Sequence, residues 1–173
     1  MTTSETGAEP HLQDRPAVPF VGTTTGVSTA TIAQIADRIP ELVGALISRG
    51  ITPTGAPFFR YLDLRGDAMT LQVGVPVPDG AELPEHVLPF TVESGHLPAG
   101  RYAGLTHVGS FDGLRAATER LLAWASEQEL RLDMETEDGL ERWTARLEIY
   151  LTDPRLETDP NRYRTELAIK LAD

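Results

Sequence analysis

The stretch RYAGLTHVGSFDGLRAATERLLAWA, residues 101–125, decides the fold. Arg101 to Val108 reads as a strand, and from Ser110 onward Leu114, Ala117, Leu121, Trp124 and Ala125 recur at intervals of three and four, which is one helical stripe. Downstream, Arg142 to Leu151 and Arg162 to Leu171 alternate apolar and polar residues and predict two further strands. Upstream the same order occurs. Ala17 to Thr24 is a β-branched, apolar run that predicts a strand. Ser28 is placed to cap a helix whose apolar stripe runs through Ile32, Ile35, Ala36, Ile39, Leu42, Val43, Leu46 and Ile47. Pro40 inside that stripe predicts a kink or a second segment, and Gly50 ends it. Pro57 to Leu64 and Met69 to Val77 then form a hairpin about Arg65, Gly66 and Asp67.

Strand, helix, strand, strand therefore occurs twice. The expectation is an α+β domain: duplicated β-α-β-β units related by a pseudo-twofold axis, one largely antiparallel sheet with both helices on one face, and a ligand groove between the halves. Between the units, Asp79 to Leu88 is a loop rich in Pro and Glu, and Pro89 to His96 predicts a short extra strand. Residues 1–16 carry almost nothing to bury and read as a disordered leader, which leaves 17–173 as a single domain. A length of 173 residues fits one core rather than two.

Charge and composition narrow the function. With 26 acidic against 15 basic residues the net charge is −11, and the arginines are scattered around a single lysine, Lys170. A phosphate backbone would be repelled, so no direct nucleic-acid partner is expected, while cationic small molecules would be drawn in. There is no cysteine, which removes disulfides, thiolate metal sites and cysteine nucleophiles. No metal is expected either, because His11, His86, His96 and His107 lack ligand spacing, and His107 is placed to orient the turn before the second helix. No cofactor motif appears. No apolar run approaches the ~20 residues of a membrane span, and the polar, acidic N-terminus lacks an export signal, so the expected setting is the cytoplasm with no membrane partner.

The candidate chemistry lies in Trp143 to Leu151. Alternation puts Trp143, Ala145, Leu147, Ile149 and Leu151 on one face, expected under the helices, and Thr144, Arg146, Glu148 and Tyr150 on the other, so that Glu148 and Tyr150 are expected in the groove. A carboxylate in mid-strand suits a lipophilic cation if its surroundings are apolar. The alternatives are a solvated glutamate, or one paired with Arg146. Phe59 and Tyr61 share a face, and Tyr102 is a further strand aromatic. Such rings hold flat or cationic ligands by stacking and cation–π contact, although any single ring also suits ordinary packing.

Pro98 to Ala103, His107 to Leu114 and Leu147 to Pro154, preceded in order by Gly55 to Tyr61, resemble the motifs of the GyrI-like small-molecule-binding domains. The resemblance covers essentially residues 17–172. It implies the fold of the effector domains of multidrug-sensing transcription activators, which bind lipophilic and often cationic drugs and dyes. The family's key acidic residue then falls on Glu148, its neighbouring tyrosine on Tyr150 and its first-half tyrosine on Tyr61, with Trp143 where some members carry a pocket aromatic. No DNA-reading helix-turn-helix is recognisable in the chain, so transcription activation is not expected. Other members resemble hydrolases that open cyclopropane rings of DNA-alkylating natural products, with Glu148 then as general base, or a gyrase-inhibitory protein acting through a protein partner. The expected role is a stand-alone binder of lipophilic, cationic aromatic molecules, at a site comprising Glu148, Tyr150, Tyr61, Phe59, Tyr102 and Trp143.

Overall fold

The architecture follows from where each apolar stripe is buried. In the computed structural model, which describes residues 9–172, the elements in chain order are β1 (His11–Arg15), β2 (Val18–Ser28), α1 (Ile32–Ile35), α2 (Arg38–Ile47), β3 (Phe58–Arg65), β4 (Ala68–Pro76), β5 (Glu93–Leu97), β6 (Gly100–Val108), α3 (Leu114–Glu127), β7 (Met134–Glu137), β8 (Leu140–Tyr150) and β9 (Arg164–Lys170). All strand pairings are antiparallel, in the order β1-β6-β9-β8-β3-β4-β2-β5, with β7 beside β8. The mixed α+β fold with a duplicated strand-helix-strand-strand order is as the sequence predicts. The order β6-β9-β8 in one half mirrors β2-β4-β3 in the other, with β3 and β8 meeting at the centre.

The duplication extends further than the sequence shows. β1 immediately precedes β2 yet lies beside β6, and β5 immediately precedes β6 yet lies beside β2. Each half thus lends its leading strand to the edge of the other. This corrects the expected leader. Residues 11–15 are an ordered edge strand, and Arg15 reaches Glu166 Oε1 at 2.5 Å. Residues 1–8 of that leader lie outside the described residues.

Three clusters make the core. Leu42, Ala45 and Leu46 of α2 cover Val21, Leu71, Val73 and Phe59, while Leu114 and Leu121 of α3 cover Ala103, Leu105, Leu167 and Ile169. The third cluster lies on the helix-free face, which the curled sheet closes over Phe20, Phe58, Tyr102, Ala145, Leu147 and Ile149. Both faces of the sheet are therefore buried at the centre. This overturns the expected orientation of β8: Ala145, Leu147 and Ile149 point away from the helices, and Arg146, Glu148 and Tyr150 point toward them. Apolar alternation marks the helix side only when the other face is wet.

Trp143 departs from the alternation for a second reason. Between Arg142 opposite Asp63 and Arg146 opposite Tyr61, β8 holds three residues against one on β3. This irregularity changes the phase and turns Trp143 to the α3 side, into the cluster with Leu121 and Ile169.

The first helix breaks at Ala36 and Asp37, upstream of Pro40, which sits in the first turn of α2, where its missing N–H costs nothing. Ser28 does not cap it. Thr31 occupies that position without a side-chain cap bond, and its hydroxyl accepts from the Ser28 N–H. At the far end Gly50 adopts φ 75°, and Ile51 donates back to the Leu46 carbonyl at 3.0 Å. Gly50→Ala is expected to lower stability by about 1 kcal/mol, because a Cβ strains this left-handed conformation although nothing crowds it. A urea midpoint measurement checks this.

Candidate functional site

Where the two halves meet, α1 and α2 cover one side of the sheet's helical face and α3 the other. Between them opens a cavity of about 1140 Å³, floored by β3 and β8. Its volume is ample for a drug-sized molecule. Ile39, Val43, Met69 and Leu122 supply apolar walls, Phe111 stands on the α3 side, and Thr152 to Arg155 edge the mouth. The rim charges largely cancel one another, with Arg155 paired to Asp153 at 2.9 Å and Arg115 to Glu119 at 3.5 Å.

Glu148 sits on this floor, 9% exposed. Cross-strand pairing explains its neighbours: Phe59 is directly opposite Glu148, Tyr61 is directly opposite Arg146, and Tyr150 lies one step along the same face. The Tyr61 hydroxyl donates to Glu148 Oε1 at 2.5 Å, and the Tyr150 hydroxyl to the same oxygen at 3.2 Å. Oε2 accepts no hydrogen bond among the described residues and is not sealed from the cavity. Phe59 meets Tyr150 edge-on at 5.1 Å, and Phe111 meets Tyr150 at 5.7 Å, so an aromatic wall stands beside the carboxylate.

Burial raises the Glu148 carboxyl above its usual value, against the two tyrosine hydrogen bonds and the Arg146 charge, which all favour ionisation. Burial, then the Glu148 charge, raise both tyrosine hydroxyls well above theirs, so both remain donors. Arg146 makes no ion pair with Glu148 among the described residues. Its guanidinium lies instead over the Trp143 ring at 4.9 Å and the Tyr61 ring at 5.6 Å.

The structure thus brings together Glu148, Tyr150, Tyr61 and Phe59. It sets the other two candidates apart. Tyr102 faces the helix-free side, 1% exposed, donating to the Pro98 carbonyl at 2.6 Å, because Ala103 and Leu105 at the odd positions of the same strand take the helix side. Trp143 is on the helix side but underlies Arg146 rather than lining the cavity, which its place beyond the β8 irregularity explains. Arg146 and Phe111 are among the lining residues that were not singled out as site residues. Arg146 figured only as a possible partner of Glu148, and Phe111 opens a turn where an exposed ring, 43% accessible, had no buried stripe to belong to. His107 bonds the Ser110 carbonyl at 2.9 Å and so does hold the turn before α3. No group of metal-ligating side chains occurs among the described residues, and no helix there is long and apolar enough to cross a membrane.

The profile of the GyrI-like small molecule binding domain matches residues 8–172. No curated protein matches the chain. Among solved structures, the C-terminal domain of EcmrR superposes with a TM-score of 0.74 at 17% identity, covering 95% of this chain and 98% of that one. EcmrR in its complex with DNA gives the same score and identity, and there the chain spans only 57% of the EcmrR chain. A hydrolase from Listeria innocua has a TM-score of 0.66 at 15% identity, covering 96% and 93%. SAV2435 bound to tetraphenylphosphonium has 0.61 at 12%, covering 95% and 94%. Identities this low speak for the shared fold.

Proposed function

Because the chain belongs to the GyrI-like family of small-molecule-binding domains, we propose that its cavity takes lipophilic aromatic cations and that Glu148 is the charge that holds them. The observation that carries this reading is a buried carboxylate on the floor of an apolar cavity, with one oxygen fixed by two tyrosines and the other unclaimed. An uncompensated charge in such a place is costly, and a ligand cation offsets that cost while its rings displace water from the apolar walls. Phe59, Tyr61 and Tyr150 supply the aromatic contacts. The solved complex of SAV2435 with tetraphenylphosphonium, a fold relative, accords with a ligand of this type.

Tetraphenylphosphonium and the neutral triphenylphosphine oxide make a matched test by calorimetry. The cation is expected to bind more tightly than the oxide, and Glu148→Gln to weaken the cation by about 1–3 kcal/mol, the range for a hydrogen-bonded or paired buried charge, with little effect on the oxide. Unchanged cation affinity in that variant would sink the reading.

The raised carboxyl pKa also suits a general base, which keeps open hydrolysis of a reactive electrophile such as a cyclopropane-bearing alkylator. Mass spectrometry separates the two readings. Stoichiometric retention of intact alkylator supports binding, whereas repeated turnover that Glu148→Gln abolishes supports hydrolysis.

A further inference from the structure

Among the described residues Arg146 is the one basic side chain on the cavity floor, and its N–H donors have no hydrogen-bond partner there. It lies in β8 opposite Tyr61, and its guanidinium rests over two rings, those of Trp143 and Tyr61. Stacking uses the face of a guanidinium and leaves its N–H donors radiating from the edge. None of those donors has a hydrogen-bond acceptor or a carboxylate within ion-pair distance among the described residues. Glu148 and Glu141 act on it only through space. Nor are its nitrogens sealed in: Gln13, Glu141, Trp143 and Thr165 each bury an unpartnered polar atom, and Arg146 does not, while it does line the cavity. A fixed guanidinium with a free edge facing an apolar cavity is a receptor for a planar anion.

Arg146 and Glu148 occupy alternate positions of one strand, so their Cα atoms stand about 6–7 Å apart and both side chains rise from the same floor. We propose that Arg146 is an anion-accepting subsite, and that the ligands fitting this cavity best are flat aromatic amphoters carrying an acidic group for Arg146 as well as a basic group for Glu148. The inference rests on the cation reading above and specifies its substrate class further. A ligand that is only a cation leaves Arg146 unsatisfied and faces its like charge. A carboxylate on the same ring system removes both penalties.

Fluorescence titration with aminoacridine, a flat cation, and with the same aminoacridine bearing a ring carboxylate tests this on the full chain. Arg146→Gln is expected to weaken the carboxylated dye about tenfold or more, the scale of a charge-assisted hydrogen bond, while plain aminoacridine binds as well as before or better. Arg146→Lys keeps the charge without the planar fork and is expected to lose several-fold of the preference. It also serves as the deciding variant if Arg146→Gln does not fold. Equal shifts of both dyes overturn the proposal. If plain aminoacridine binds and Glu148→Gln weakens it, while neither Arg146 variant changes the ratio of the two affinities, this inference fails and the cation reading stands. If neither dye binds, both fall together.

Discussion

Phe58→Ala is expected to lower stability by about 3–5 kcal/mol, the cost of removing a fully enclosed phenyl ring. Phe58 is 1% exposed on the helix-free face, where it meets Phe20 edge to face at 5.3 Å. Its ring lies against Gly74, its direct partner on β4. A Cβ added there would stand 2.3 Å from Cζ. Phe20 lies over Gly95 of β5 in the same manner. Large rings laid on bare backbone let the sheet curl closed with little space lost. Gly74→Val alone is expected to cost about 1–3 kcal/mol or more by overpacking. Combined with Phe58→Ala it is expected to cost less than the two changes summed, since the valine fills part of the space that the ring vacates. Urea unfolding of the four proteins in this cycle checks it, and additive losses would contradict the contact.

Cation affinity and protein stability are expected to move in opposite directions with pH, both through Glu148. Burial lifts the folded-state pKa of this carboxyl above its unfolded value, so the folded chain holds the proton more tightly than the unfolded chain does. The resulting stability is fully present below the ordinary glutamate value and is lost as pH rises through the raised one. Binding of a lipophilic cation has the reverse slope, because only the ionised carboxylate attracts it. Affinity for tetraphenylphosphonium is expected to climb by up to about tenfold per pH unit below the raised pKa and to level off above it. Glu148→Gln is expected to flatten both trends. Calorimetry and thermal unfolding across the range read the two slopes, and a pH-dependent affinity that persists in the variant would assign the titration to another group.

Much of this arrangement was legible in the chain because periodicity reports burial. The stripe from Ile32 to Ile47 and the one from Leu114 to Ala125 gave two helices, and repetition of the element order gave the pseudo-symmetry. Glu148, Tyr150, Tyr61 and Phe59 were legible as well, since residues spaced by two on neighbouring strands share a face. The rest depended on long-range facts. His11–Arg15 contains one large apolar residue, Leu12, and its strand character comes from pairing with β6, roughly ninety positions away in the register His11 to Gly104. β7, Met134–Glu137, is equally polar and exists by virtue of β8. Which face of β8 meets the helices depended on the curl of the whole sheet. Tyr102 was misplaced in the expected site for the same reason, and Trp143 reaches the helix side, where alternation placed it, only through an irregularity that no local pattern announces.

The convergence of Tyr61 and Tyr150 on a single oxygen of Glu148 has a thermodynamic consequence. Two hydroxyls bonded to Oε1 anchor the carboxylate before any guest arrives, so a cation approaching Oε2 need break no hydrogen bond and freeze no glutamate rotamer. The acceptor is preorganised, and the entropic toll of binding falls on the ligand alone. Selectivity among cations then resides in how much nonpolar area each one buries, which would register as a heat-capacity decrease that scales with ring surface and barely responds to the chemical identity of the positive group.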